Sequence, residues 1–307
     1  MTRRGSGRVV SSAAVLWALG VSTVGASPQR VFSAERAWTH LEAQCAFGPR
    51  VPGTQAHRSC LAYIRSTLEQ AGGRVSLQTF RDSVPGLGGA VELTNVIARL
   101  GPDRPGGLLL GAHWDSRPWA DRDPDSTRRD EPILGANDGA SGVAVLLALA
   151  EMWAAEGPPI PVTLVFFDGE DLGREGHGEE YLAGSRSFAA RLTAPHPEAA
   201  IVLDMVGSAT MSLSVEAYAR ELFPGWASLI DGLALDLGLS TYQSDWGPSV
   251  YDDHLPLIEA GLPAVLLIDF RDPYWHTHGD TPAHCSAASL GEVGRLIAAL
   301  VGGDAIR

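Results

Sequence analysis

Only three cysteines stand in the 307 residues of this chain. That is too few for a disulfide-stapled scaffold, and Cys45, Cys60 and Cys285 lack the spacing of a thiolate zinc site. An oxidising compartment could close one pair and leave one thiol free, and the sequence does not choose the pair. With no His or Asn partner motif around them, they read as structural residues. Internal repeats, heptad runs and low-complexity tracts are also missing. No basic cluster interrupts a formal net charge of −13, which argues against a nucleic-acid partner. What is present, 45% hydrophobic and 19% charged, describes a globular protein with a sizeable core.

Long apolar runs are absent apart from one at the N-terminus. Arg3, Arg4 and Arg8 precede an Ala/Val/Leu-rich run over 9–21, and Val24-Gly25-Ala26 then supplies small residues at cleavage-site spacing. The run is too short and too rich in small residues for a convincing membrane span, a retained anchor being the alternative. Residues 1–26 are expected to be a signal peptide, with no Cys near the cut for lipid attachment. Removing them takes away three positive charges and no acids, −13 − 3 = −16. The mature chain, 27–307, is expected in the periplasm or outside the cell, with no membrane attachment and as a monomer.

Apolar spacing through Ala34, Trp38, Leu41 and Cys45 predicts a helix over 33–47 with Ser33 as N-cap. A Gly/Pro-rich turn at 47–54 leads to a helix over 56–71, stopped by Gly72 and Gly73. Residues 75–80 and 91–100 read as strands. Thereafter apolar strand runs at 107–112, 162–167, 201–203 and 264–268 alternate with helical patterns over 139–153, 185–192, 226–237, 255–260 and 286–300. This alternation predicts an α/β fold, a central mixed and mostly parallel sheet with helices on both faces. No linker-like break divides it, so a single domain is expected.

Five short segments place acid and imidazole groups where a metal would want them: His113-Trp114-Asp115, Asn137-Asp138, Glu170-Asp171, Asp204 and His276-Thr277-His278. His113 and Asp115 follow the run over 107–112, Glu170 and Asp171 follow 162–167, and Asp204 ends 200–203. In a mainly parallel sheet the C-terminal strand ends converge on one crevice. Carboxylates crowded there repel and lose hydration, which a divalent cation offsets. Mixed Asp/Glu/His ligation suits zinc. The charged loop 117–132 and the Gly-rich loop 173–180 follow candidate ligands directly, as pocket rims do, although a solvated loop without a role has the same composition.

The segments GAHWDSRPWADRDPD, PILGANDGASGVAVLLALA, FFDGED, YLAGSRSFA, LDMVG, DDHLPLIEAGLPA and YWHTHGDT occur in that order over roughly residues 45–300. Together they resemble the zinc aminopeptidase/glutaminyl cyclase superfamily. HWDSRPWADRDPD with GANDGASG, the paired Asp252-Asp253 before His254, and Trp275 before His276 resemble the bacterial glutaminyl cyclases within it. The resemblance implies one zinc ion held by Asp138, Asp171 and His276, with Glu170 as general acid/base. It implies a hydrogen-bonding role near that glutamate for Asp204 and Asp252, and a pocket wall at Trp275. His113 and Asp204 match the positions with which the aminopeptidases hold a second zinc, Asp138 then bridging. Two departures stand out: Asp171 is one methylene shorter than the glutamate frequent in the family, and no tryptophan lies in 173–178.

The implied activity is a zinc-dependent glutaminyl-peptide cyclotransferase acting on peptide N-termini. The alternatives are a dizinc aminopeptidase and a catalytically inactive binding domain. Asp138 also precedes a helix, where Asp is favoured as a cap. His278 is expected at the rim, His254 beside a carboxylate near the site, His177 and His284 in solvated loops, and Trp114 and Trp119 in core or rim packing.

Overall fold

The computed structural model describes residues 31–303 apart from Glu175 and Trp246. The expected signal peptide lies outside the described residues. In chain order the elements are α1 (Ala34–Ala46), α2 (Gln55–Gln70), β1 (Arg74–Val84), β2 (Gly89–Leu100), β3 (Leu108–His113), α3 (Ala140–Trp153), β4 (Val162–Phe167), α4 (Ala183–Ala189), β5 (Ala199–Asp204), β6 (Ser214–Val215), α5 (Ala217–Leu222), α6 (Pro224–Asp236), α7 (His254–Glu259), β7 (Ala264–Ile268) and α8 (Ala287–Gly302). The seven strands form one sheet in the order β1-β2-β4-β3-β5-β7-β6. The central four, β4, β3, β5 and β7, are parallel, and the flanking strands pair antiparallel. This is the predicted mixed α/β sheet.

The central strands are almost continuously apolar up to their C-terminal ends because both of their faces are covered. Leu110, Leu164, Ile201 and Val265 join the core under α1, α3 and α8. Their sequence neighbours Leu109, Val165, Val202 and Leu266 join the core under α4 and α7. The period of two along each strand thus divides its side chains between two layers. Within α3, twelve of fourteen residues are buried, and Gly142 allows it to press on the sheet. A Cβ at that glycine would lie 2.5 Å from the Leu203 carbonyl oxygen.

The hairpin of β1 and β2 is longer than its apolar alternation suggests, because cross-strand pairing continues through Arg81, Asp82 and Ser83. Two short elements, β6 and α5, escape periodicity altogether. The side chain of Glu216 starts α5 by accepting from the N–H groups of Tyr218 and Ala219. The cysteines are all free and buried, and burial pushes the Cys45 and Cys60 thiols up to about 11 and about 12. They are core residues, as read, and no pair is closed.

The turn at 47–54 is more than a connector. Arg50 is fully buried in it and donates to the carbonyls of Trp114, Leu134 and Gly135. A guanidinium carries enough donors to satisfy three carbonyls of two irregular segments at once. These are the loops that follow β3 and lead into α3, the ground on which the site is built.

Candidate metal centre and its cleft

β3, β4 and β5 end side by side at His113, Phe167 and Asp204. Within the crevice at these ends, ligand atoms of His113, Asp138 and Asp204 lie within 4.8 Å of one another, and so do those of Asp138, Asp171 and His276. Asp138 belongs to both groups. His276 Nε2 is 3.6 Å from Asp138 Oδ2 and 3.4 Å from Asp171 Oδ1. Nitrogen and oxygen ligands at tetrahedral zinc stand roughly 3.3 Å apart, so these edges suit the ion. Asp138 Oδ2 and Asp171 Oδ2 are buried with no hydrogen-bond partner, which is costly unless a cation serves them. The donor set therefore fits zinc.

Burial and like charge leave their mark on the carboxyls. Asp138 is pushed up to about 6, by burial first and by the Asp171 charge next. Glu170 is raised well above the usual carboxylate range by burial, with Asp171, Asp252 and Asp253 adding to the effect. Asp252 is raised by burial and by Asp204 and Asp253. Burial would lower His113, but Asp115, Asp138 and Asp204 outweigh it and raise the imidazole well above its ordinary value. A bound divalent cation offsets a concentration of negative charge of this kind.

The ligand-bearing turns are held by further carboxylates that accept backbone N–H groups. Asp115 takes the N–H of Glu170 on Oδ1 at 3.1 Å and that of Asp171 on Oδ2 at 3.2 Å. Asp280 does the same for Asn137 and Asp138 at 2.7 and 3.1 Å. Gly139 has φ +93°, and a Cβ there would meet the Asp115 carbonyl at 2.7 Å and His113 Cε1 at 2.8 Å. The helix cap is this glycine, with no side-chain capping bond, so Asp138 is left free for the crevice. His276 itself sits at φ +58°, a left-handed conformation rare outside glycine and frequent where a side chain must be aimed.

Asp138, Asp171, His276, Glu170, Asp204, Asp252 and Trp275 line one cavity of about 440 Å³. Phe270, Val250, Tyr251 and Tyr181 add to its wall. The rings of Trp275 and Phe270 are 4.6 Å apart. The seven candidate site residues named first are thus brought to one place, with His113 behind the cavity rather than lining it. A larger groove of about 530 Å³ opens at the other end of the strands and holds none of these ligands.

Other expectations sort differently. His278 does not line the cavity, and its backbone N–H and Nδ1 are both 2.9 Å from Asp123 Oδ2. His254 is fully buried beside Glu216, 3.3 Å away, and that carboxylate caps α5 rather than belonging to the site. His284 is not simply solvated, since its ring stacks on Tyr274 at 3.6 Å. Trp114 is core, stacked on His57 at 4.2 Å. Trp119 is buried and donates to the Gly173 carbonyl. The loop 117–132 is anchored at its start, where Arg117 is fully buried, and exposed over 124–132 apart from Ile133 just beyond. Sequence reasoning gave no role to Arg117, Asp121, Asp253 or Asp280. The only available signal was their position inside the recognised segments.

The sequence profile of peptidase family M28 matches residues 95–301. The glutaminyl-peptide cyclotransferase-like protein of Mus musculus is 29% identical over 279 residues, spanning 81% of this chain and 70% of its own. The solved structure of Bacteroides thetaiotaomicron glutaminyl cyclase bound to N-acetylhistamine is similar with TM-score 0.85 and 31% identity, covering 89% of this chain and 99% of its own. A leucine aminopeptidase precursor from the same species matches with TM-score 0.85 and 31% identity over 89% and 98%. The profile match runs from β2 into α8 and takes in every candidate ligand: the chain belongs to peptidase family M28.

Proposed function

We propose that this chain is a zinc-dependent glutaminyl-peptide cyclotransferase, which converts the N-terminal glutamine of a peptide to pyroglutamate and releases ammonia. The observation that carries the reading is the single cavity in which a zinc-fitting triad, a buried glutamate and an aromatic wall meet. The names of the mouse and Bacteroides relatives support the same activity.

An N-terminal glutamine brings its own nucleophile, because the α-amine and the γ-carboxamide share one residue. Most of the task is to hold the side chain folded back on the amine. Trp275, Phe270 and Val250 offer the apolar surface for this. Asp138, Asp171 and His276 are the proposed ligands, and a zinc ion bound there supplies an electrophile that polarises the γ-carboxamide. Glu170 removes a proton from the α-amine as its nitrogen bonds to the carboxamide carbon. It returns that proton to the departing nitrogen, which leaves as ammonia. The raised affinity of Glu170 for a proton suits a group that must both accept and donate. Burial is the main cause of that raised affinity, and the neighbouring acids Asp171, Asp252 and Asp253 add to it.

One ion is the reading for the Asp138–Asp171–His276 triad. His113 Nε2 is 3.1 Å from Asp138 Oδ1 and 3.2 Å from Asp204 Oδ1, so a donated N–H serves those oxygens without a second cation. The same spacing accommodates a second zinc, the arrangement on which an aminopeptidase would depend. Export through the leader expected at 1–26 would give the enzyme periplasmic or extracellular peptides as substrates. Among the described residues no helix is long and apolar enough to cross a membrane.

The test incubates zinc-loaded protein with Gln-Xaa and Leu-Xaa peptides and follows products by mass spectrometry. Loss of about 17 Da from the glutamine peptide alone, the mass of the expelled ammonia, establishes the cyclase. Free leucine in its place means peptidase chemistry, and silence on both from zinc-bound protein leaves a binding domain.

A further inference from the structure

We propose that Arg117 is a positioning residue for the metal centre, one buried guanidinium that sets two of the three ligands and ties them to the wall of the cleft. The inference rests on the cyclase reading for its metal triad and extends it to a residue outside that triad. Nη1 donates to Asp171 Oδ1 at 2.6 Å and, more distantly, to the Asp171 carbonyl at 3.4 Å. Nε and Nη2 grip Asp121 with both carboxylate oxygens, at 2.9 and 2.6 Å. Nη2 also donates to the Tyr181 hydroxyl at 2.9 Å. Arg117 is fully buried, so these bonds are made without competition from water.

Each bond has a consequence at the ligands. With Oδ1 of Asp171 held by the guanidinium, the carboxylate is not free to turn: Oδ1 stays 3.4 Å from His276 Nε2, and Oδ2 is left without a protein partner. The contact with the Asp171 carbonyl pins the backbone as well, which matters for a side chain one methylene shorter than glutamate. Asp121, oriented by the guanidinium fork, faces His276 Nδ1 at 3.5 Å. A metal-binding imidazole needs such an acceptor on its other nitrogen to fix its tautomer and ring plane, and here Nε2 is the atom turned toward Asp138 and Asp171. Only a planar fork makes the three contacts together; an ammonium on a flexible stem can keep the charge but not the geometry.

The experiment measures zinc affinity by competition with a chelator of known strength, on wild type, Arg117→Lys, Asp121→Asn and Tyr181→Phe. Apo-protein melting is recorded for each. Arg117→Lys and Asp121→Asn are expected to weaken zinc binding by about 10–100-fold, and Tyr181→Phe to leave it unchanged. Peptide turnover by Arg117→Lys is expected to recover in part as zinc is raised. If Arg117→Lys folds poorly, Asp121→Asn carries the comparison, since it leaves the Arg117–Asp171 pair in place. Unchanged zinc affinity in Asp121→Asn, or in a folded Arg117→Lys with a lowered apo melting point, would show a purely structural role and overturn the proposal. Wild type that binds zinc but cyclises no glutamine peptide overturns the cyclase reading, while the affinity comparison still decides for or against Arg117.

Discussion

Glu170 and Asp171 are neighbours with opposite tasks, and their surroundings separate them. Arg117 and His276 overcome the burial of Asp171 and hold its carboxyl below the ordinary range, whereas for Glu170 burial and the neighbouring acids outweigh the His113 charge and raise it. Replacing Glu170 by Gln preserves shape and removes the proton carrier. Cyclisation should fall by about 10²–10⁴-fold while chelator competition finds zinc affinity intact, a combination that a mere binding domain would not show. Asp280 acts further back. Asp280→Ala strands the N–H groups of Asn137 and Asp138 in a buried turn, and should cost about 1–3 kcal/mol in denaturant unfolding and weaken zinc binding as well. Both acids lie inside segments whose resemblance is plain, yet only Glu170 was legible as functional. A carboxylate that serves backbone N–H groups has no spacing rule, because its partners lie 143 and 142 residues away in sequence.

Secondary-structure elements carry a second set of expectations. Gly142 in α3 and Gly232 in α6 look alike in sequence, both inside helical patterns. A methyl group at Gly142 meets the Leu203 carbonyl and Ala112 Cβ at 2.5 and 2.9 Å, while at Gly232 it meets nothing within 4 Å. Chemical unfolding should therefore show Gly142→Ala destabilised by about 1–3 kcal/mol and Gly232→Ala stabilised by about 0.5–1 kcal/mol. On α8, Glu292 accepts from the N–H and hydroxyl groups of Ser240 and Thr241. Burial opposes ionisation, but these donors outweigh it and keep the carboxyl below its usual range. A folded-state value below the unfolded one makes the contribution complete above the unfolded pKa of about 4.3. It is lost as pH falls through the folded value. The difference in thermal midpoint between wild type and Glu292→Gln should shrink on acidification below about pH 4, and a constant difference would deny the linkage. Helix and strand boundaries were readable where side chains face both layers or alternate cleanly. They were not at β6 and α5, which are too short to show a period.

Over the whole molecule, the crevice gathers more buried acid than the cations within it neutralise. A metal bound only by the folded state stabilises that state by mass action, about 4 kcal/mol at a thousandfold excess over its dissociation constant. Removing zinc with a chelator should lower the melting midpoint by roughly 10 °C for a domain of this size, and added zinc should restore it. An unmoved midpoint would mean that folding leaves no such site for the ion.

The order of apolar runs and charged turns in the sequence determined the α/β architecture, because a strand buried on both faces must be continuously apolar and its chemistry must wait for the strand end. The same order put Glu170, Asp171 and Asp204 at converging strand ends, while the part of Asp138, Asp252, Trp275 and His276 in that crevice was legible only through the resemblance of their segments to a known family. Which oxygen faces which nitrogen was decided only in three dimensions. Arg50, Asp115, Arg117 and Asp280 work by linking segments that the chain keeps far apart. Their partners are defined by packing, and a linear pattern records a residue's type and spacing but not the neighbour that folding brings to it.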